Sequence, residues 1–105
     1  MTNKINYVAG LFDCFAYESI TVGTTAVGLT TSVYKSDTGT AARAIITVET
    51  DQVRYRYDGT SPTSTEGHLL NATDTLLVVG RGNLDRIRFI RAGADDATIR
   101  VSYEK

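Results

Sequence analysis

The stretch ARAIITVETDQVRYRYD, residues 42–58, decides the fold class because apolar and polar side chains alternate along both of its halves. The apolar faces are Ala44, Ile46 and Val48 in the first half, and Val53, Tyr55 and Tyr57 in the second. Arg54 and Arg56 point the opposite way from the second face. A period of two is typical of half-buried strands. Residues 50–52 between the halves therefore predict the turn of a hairpin.

Further strands follow at turn spacings of about 8–12 residues, which is typical of antiparallel sandwiches and barrels. The run TLLVV at 75–79 indicates a more fully buried strand, and GRGN at 80–83 indicates a turn with no helix after it. Residues 86–91 and 97–103 alternate, with Ile87, Phe89, Ile99, Val101 and Tyr103 on the inner side. Residues 18–22 and 26–34 are weaker candidates. We expect an all-β, antiparallel, jelly-roll-like β-sandwich of about seven or eight strands.

The chain of 105 residues has the length of one small domain. We divide it into a segment 1–17 and a sandwich domain 18–105. Tyr7, Leu11 and Phe15 recur at the spacing of a helix, but Gly10 weakens that interpretation. The segment is therefore a short helix, a first strand, or an arm that becomes ordered on a partner.

Composition argues against several classes of function. The net charge of -1 lacks the basic footprint of a nucleic-acid-binding protein, and no apolar run approaches the length of a membrane span. The N-terminus lacks the pattern of a secretory signal. Cys14 is the single cysteine, so no disulfide within the chain and no cysteine-based zinc site can form. Its apolar neighbours indicate a buried side chain.

The loop DGTSPTSTEGH, residues 58–68, is the first candidate for a site because it contains the only proline and the only histidine. Asp58 and Gly59 are typical of a turn, Pro62 suits an exposed loop, and Gly67 and His68 lead back into the sheet. A hydrolase would use His68 with Ser61 or Ser64 and with Asp58 or Glu66. Nothing in the spacing makes those groups converge, so we interpret the loop as structural.

We expect no cofactor and no metal. Asp95 and Asp96 lack the further oxygen ligands that calcium requires, and a charged turn is the simpler interpretation.

The distribution of arginine says more about function than these acidic residues do, because the planar guanidinium of arginine is favoured at protein interfaces. The arginines in predicted strands are Arg43, Arg54, Arg56, Arg86, Arg88, Arg91 and Arg100. They form either rows on a contact face or a solvated face paired with Glu49, Asp51 and Glu104.

Residues 42–105 resemble small structural proteins of tailed bacteriophages. The resemblance rests on an arginine-bearing strand, a DGT-x-PT loop, then G-H-x-L, an I-R-x-G turn and a final strand ending in V-x-Y. It implies a non-enzymatic virion component made in the cytoplasm of a bacterial host. The implied role is a head decoration or cement protein that binds the major capsid protein and forms a homo-oligomer, preferably a trimer.

On this hypothesis the N-terminal aromatic and apolar residues, together with four arginines, form the contact surface. The expected interface residues are Tyr7, Leu11, Phe12, Phe15, Tyr17, Arg54, Arg56, Arg86 and Arg88. A head–tail connector or a tail component is one alternative. A carbohydrate-binding sandwich is another, with Tyr34, Tyr55 and Tyr57 available to stack on a sugar ring.

Overall fold

The computed structural model describes residues 12–105, which contain ten strands and two short helices. The strands are β1 (Cys14–Val22), β2 (Val27–Gly28), β3 (Lys35–Ser36), β4 (Gly39–Thr40), β5 (Arg43–Glu49), β6 (Val53–Arg56), β7 (His68–Leu70), β8 (Thr75–Val79), β9 (Arg88–Arg91) and β10 (Ala97–Glu104). The helices are α1 (Thr31–Tyr34) and α2 (Arg81–Arg86). Strand β1 begins at Cys14, so it runs across the expected boundary between residues 17 and 18.

Eight of these strands form two four-stranded antiparallel sheets. Sheet 1 has the order β1-β10-β5-β8 and sheet 2 has the order β2-β9-β6-β7, while β3 and β4 make a separate ribbon. Along the chain, the first strand of the sandwich pairs with the last, the second pairs with the next to last, and the remaining strands follow the same rule. The pairs are β1–β10, β2–β9, β5–β8 and β6–β7. A long antiparallel hairpin rolled into two sheets has this pairing, which is that of a jelly roll. The expected fold class is confirmed.

The core lies between the two sheets, and the strand alternation determines which side chains fill it. In β5 and β10 every second residue is buried: Ala44, Ile46 and Val48, then Ala97, Ile99, Val101 and Tyr103. Sheet 2 contributes Val53 and Phe89, both with no exposed surface. Ile87 is buried just ahead of β9, as the alternation predicts.

The predicted hairpin at residues 50–52 is wrong. Strand β5 belongs to sheet 1 and β6 to sheet 2, so this link carries the chain from one layer to the other. Thr50 adopts a left-handed φ of 81°, and the Asp51 carboxylate accepts hydrogen bonds from the backbone N–H groups of Gln52 (2.7 Å) and Asp95 (3.2 Å). Alternation within each strand is the same whether the two strands pair or face each other across a core.

The predicted strand 26–34 is also wrong for most of its length, since only Val27–Gly28 pair and Thr31–Tyr34 form α1. Tertiary contacts override the strand propensity here. The Tyr34 ring packs 5.6 Å from that of Tyr103, and the Glu18 carboxylate accepts hydrogen bonds from the Thr30 hydroxyl (2.6 Å) and the Tyr103 hydroxyl (2.5 Å). Burial and the Glu18 carboxylate raise the pKa of Tyr103 well above its usual value.

Three further expectations fail at the margins of the sandwich. The turn GRGN opens α2, whose Leu84 is buried. Strand β8 lies at an edge of sheet 1, so it is buried on alternate residues only. Cys14 is exposed, because it begins the other edge strand of the same sheet. In residues 12–105 neither helix is long and apolar enough to cross a bilayer.

Candidate functional site

The solvent-facing side of sheet 1 carries an apolar strip. The register places Tyr17, Ser102, Ile45 and Leu77 in one row across the four strands, with Val79 beside Arg43 in the next row. Tyr17, Leu77 and Val79 are 56%, 47% and 55% exposed. We call Tyr17, Ile45, Leu77 and Val79 the outer strip. Outward positions of a sandwich are ordinarily polar, so the outer strip is unusual.

An ion pair lies next to the outer strip and is largely shielded from water. Arg43 Nε donates to Glu104 Oε1 at 2.5 Å, and their side chains are 13% and 8% exposed. The Phe12 ring lies 3.9 Å from the Arg43 guanidinium carbon, which places an aromatic ring on this charge. On the same two strands, Arg100 Nε pairs with Glu49 at 2.9 Å in an exposed position.

The expected N-terminal contact residues fall into three groups. Tyr7 and Leu11 lie outside the described residues. Phe15 packs against the core as a half-buried ring, while Phe12 lies over Arg43 near the outer strip. Tyr17 belongs to the outer strip, and hydrogen bonds with Ser19 and Arg100 lower the pKa of its hydroxyl.

The arginines do not form one row. Arg43 and Arg100 face outward on sheet 1, whereas Arg54, Arg56 and Arg88 lie on sheet 2. Arg86 belongs to α2 instead of a strand, and it donates to the Asn83 side chain at 3.3 Å. The guanidinium of Arg88 donates to the carbonyls of Asp85 (2.9 Å) and Ile87 (2.8 Å), so it fastens the end of α2 to β9.

Arg54 holds the 58–67 loop against sheet 2. Its Nε donates to the Ser64 carbonyl at 3.0 Å and its Nη1 donates to the Gly67 carbonyl at 2.9 Å. Pro62 is buried, which corrects the expectation of an exposed proline. Pro62 Cβ lies 3.1 Å from the position that a side-chain carbon would occupy on Gly67. The loop is therefore packed on the sandwich through contacts that involve Arg54 and Pro62.

Gly67 is required at its position, and a substitution there tests how far the loop is packed. Its φ is 139°, and an added Cβ would lie 3.0 Å from the Tyr55 carbonyl oxygen. We expect Gly67→Ala to lower the free energy of unfolding by about 1–3 kcal/mol through backbone strain and crowding. Chemical denaturation measures this. Gly82→Ala, within α2, is the control and should be neutral or stabilising by up to about 1 kcal/mol; equal losses in both variants would contradict the assignment.

Arg56 and Asp58 form a two-point ion pair at the start of the loop. Arg56 Nε and Nη2 donate to the two Asp58 oxygens at 3.1 and 2.5 Å, and Asp58 also accepts the Thr60 N–H at 3.3 Å. The Arg56 hydrogen bonds lower the pKa of Asp58 from 3.8 to about 2. The Gly59 φ of 92° provides the bend between the strand and the loop.

The depressed pKa gives a pH prediction with a definite sign. Asp58 favours the folded loop above its ordinary pKa of 3.8, and this contribution is lost as the pH falls through about 2. We expect a carbon-detected NMR titration of the Asp58 carboxyl to have its midpoint near 2 in the wild type. In Arg56→Gln the midpoint should rise towards 3.8. A wild-type midpoint already at 3.8 would contradict the ion pair.

His68 lies beside two tyrosine rings at the end of sheet 2. Its ring centroid is 5.1 Å from that of Tyr55 and 6.3 Å from that of Tyr57, and Tyr55 in turn lies 6.1 Å from buried Phe89. His68 is exposed. Arg56, Tyr57, Asp58, Glu66, Gly67 and His68 line a cleft of about 530 Å³. We call these six residues the loop cleft.

Other groups singled out from the sequence have structural partners. The Tyr34 hydroxyl donates to Asp85 at 2.7 Å from a buried position, away from the Tyr55–Tyr57 pair. Asp96 accepts a hydrogen bond from Arg91 at 2.8 Å. Among residues 12–105 no three His, Cys, Asp or Glu side chains are grouped as metal ligands would be.

The sequence reading missed Leu77 and Val79. The run TLLVV is apolar at four successive positions, so it contains no alternation to show which side faces water. Only the position of β8 at the edge of sheet 1 leaves one of its sides uncovered. The length of β8, five residues, does not mark it as an edge strand, because the central strands β6 and β9 of sheet 2 have only four.

In comparisons with known proteins, no protein-family model, curated protein or solved structure matches this chain.

Proposed function

We propose that this chain is a structural protein of a tailed-bacteriophage virion, a decoration protein that binds the major capsid protein through the outer strip. The observation that carries the proposal is the exposure of Tyr17, Leu77 and Val79 on one side of sheet 1. Apolar side chains grouped on a protein surface mark contact sites for other proteins. The phage-like motifs of residues 42–105 direct the proposal towards a virion.

The jelly-roll topology supports the proposal by analogy of fold. Jelly rolls recur in viral capsid and lectin domains, and fold alone does not determine function. The pairing of sandwich strands from the outermost inward places the outer strip on one broad sheet face. Such a face can lie flat on a shell surface, whereas the loop cleft lies at the end of the other sheet.

The edge of sheet 1 offers a second kind of contact. Strand β8 pairs with β5 along one side, and within residues 12–105 its other side has no strand partner. A strand of a shell subunit could add there through backbone hydrogen bonds while Leu77 and Val79 are covered. Burying each such side chain contributes about 1.5–3 kcal/mol. A decoration protein stabilises a shell in this way, since removing a shell subunit then requires breaking these contacts as well.

Self-association would multiply this modest contact. Linking several identical sites raises the effective concentration of each one on a symmetric shell, and closed symmetric oligomers are the common form. We propose a trimer seated on a symmetry axis of the shell. Size-exclusion chromatography with light scattering measures the mass. A larger ring would instead favour the head–tail connector.

Binding to heads tests the proposed function directly. Empty heads of the phage whose genome encodes this chain are sedimented with the purified protein, and electron cryomicroscopy locates the bound copies. Copies distributed over the shell are the expected result. A single ring at the portal vertex, binding to tails alone, or no sedimentation with heads would each contradict the decoration role. A genome that encodes this chain but no head proteins would also contradict the decoration role.

A further inference from the structure

A series of aromatic rings leads from the core to the surface at the end of sheet 2. Phe89 is fully buried, Tyr55 is half-buried against it, and Tyr57 is 49% exposed. The Tyr55 and Tyr57 rings are 6.3 Å apart and 26° from parallel. Burial of the inner rings restrains the outer one. Tyr57 therefore leaves about half of its side chain accessible at the surface, beside rings that packing holds in place.

The loop cleft begins at this ring. Its volume of about 530 Å³ lies in the range of small-molecule sites. The Tyr57 and His68 rings form one part of the lining, and charged side chains of Arg56, Asp58 and Glu66 form the other. Packing of the loop through Arg54 and Gly67 holds both parts in place without a ligand. A preformed cleft costs less free energy to occupy than one that must order on binding.

The charges in the cleft restrict the chemistry of its occupant. Arg56 and Asp58 largely neutralise one another, and Glu66 adds a further carboxylate. With one base and two acids, the lining has a formal charge of -1 when His68 is neutral. This charge disfavours phosphate and other anions. Carboxylates accept hydrogen bonds, Arg56 donates them, and the His68 ring offers one nitrogen of each kind when neutral.

We propose that the loop cleft binds a neutral saccharide. A sugar ring has an apolar face that covers an aromatic ring, and its hydroxyl groups both donate and accept hydrogen bonds. Tyr57 is the stacking residue, and Glu66, His68 and the Arg56–Asp58 pair are the groups around the hydroxyls. The site lies on the opposite sheet from the outer strip. A protein held by the outer strip would therefore leave the cleft free to contact a surface glycan.

Titration of the isotope-labelled protein with neutral sugars tests the proposal by NMR. The probes are glucose, galactose, mannose and N-acetylglucosamine, each as its methyl glycoside. At least one should shift the backbone signals of residues 56–58 and 66–68. We expect Tyr57→Ala to weaken that binding about tenfold or more, since the covered ring is lost. Tyr17→Ala, which removes a similarly exposed tyrosine from sheet 1, should leave it unchanged.

Three results would overturn the proposal. One is the absence of shifts with every sugar, and another is a set of shifts that Tyr57→Ala does not alter. The third is binding of a cationic probe, the methyl ester of acetyl-arginine, without binding of any sugar. That result would assign the cleft to a basic side chain of a partner protein. None of these results bears on head binding, because that contact uses the other sheet.

Discussion

Replacing Phe89 with alanine is expected to lower the free energy of unfolding by about 3–5 kcal/mol. Phe89 lies in β9 at the centre of the core with no exposed surface, and its ring supports Tyr55 at 6.1 Å. Truncation removes the buried ring and leaves a cavity that a jelly roll of paired strands cannot close. Since small domains have about 5–15 kcal/mol in total, a large part of the stability is lost.

Urea denaturation followed by circular dichroism measures this loss. Leu69→Ala is the control, because Leu69 is an exposed apolar residue of sheet 2 and should cost about 0.5 kcal/mol or less. A loss below about 1.5 kcal/mol for Phe89→Ala would contradict the placement of Phe89 in the core. The same variant should also broaden the NMR signals of Tyr57 and His68, whose rings depend on Tyr55.

Glu104→Ala is expected to have the second large effect, about 3–5 kcal/mol, because it leaves the Arg43 guanidinium largely buried without its partner. The distance of 2.5 Å and the low exposure of both side chains make this a shielded ion pair. The stacked Phe12 ring covers the charge but cannot accept the hydrogen bond of Arg43 Nε. Arg43→Leu combined with Glu104→Leu should recover most of the loss, since no charge is then stranded.

The exposed pair on the same two strands is the matched control. Arg100 and Glu49 lie at a similar distance, 2.9 Å, with side chains that are 44% and 47% exposed. Glu49→Ala should therefore cost about 1 kcal/mol or less, since water and salt screen exposed charges. Equal losses for Glu49→Ala and Glu104→Ala, by thermal or urea unfolding, would contradict the shielding of the Arg43–Glu104 pair.

Alternation predicts which residues of a strand are buried, but not which strand is its neighbour. The inner residues of β5, β9 and β10 follow from the sequence because apolar and polar side chains alternate within each of these strands, whichever strand lies next to it. The hairpin predicted at 50–52 is wrong because Val53 points into the same core whether β6 pairs with β5 or faces it. That choice depends on the closure of the whole roll and on contacts such as Asp51 with Asp95.

The candidate surfaces illustrate the same limit. The sequence singles out the loop 58–68 by its proline and histidine but predicts only a structural role for it, whereas the assembly of Tyr57 with His68 into a cleft depends on the pairing of β6 with β7. The outer strip had no local signal, because an unbroken apolar run fits a covered strand as well as an edge strand. Sheet order, which is a property of the whole chain, exposes Leu77 and Val79.

The most direct test of the central claim compares two leucines in the head-binding assay. Leu77 is 47% exposed on β8, the edge strand of sheet 1, and Leu69 is 43% exposed on β7, the edge strand of sheet 2. Each is changed to aspartate, and thermal unfolding verifies that both variants fold. We predict that Leu77→Asp weakens binding to heads about tenfold or more, while Leu69→Asp binds as the wild type does. Full binding by Leu77→Asp, or an equal loss in Leu69→Asp, would contradict the outer strip as the docking surface.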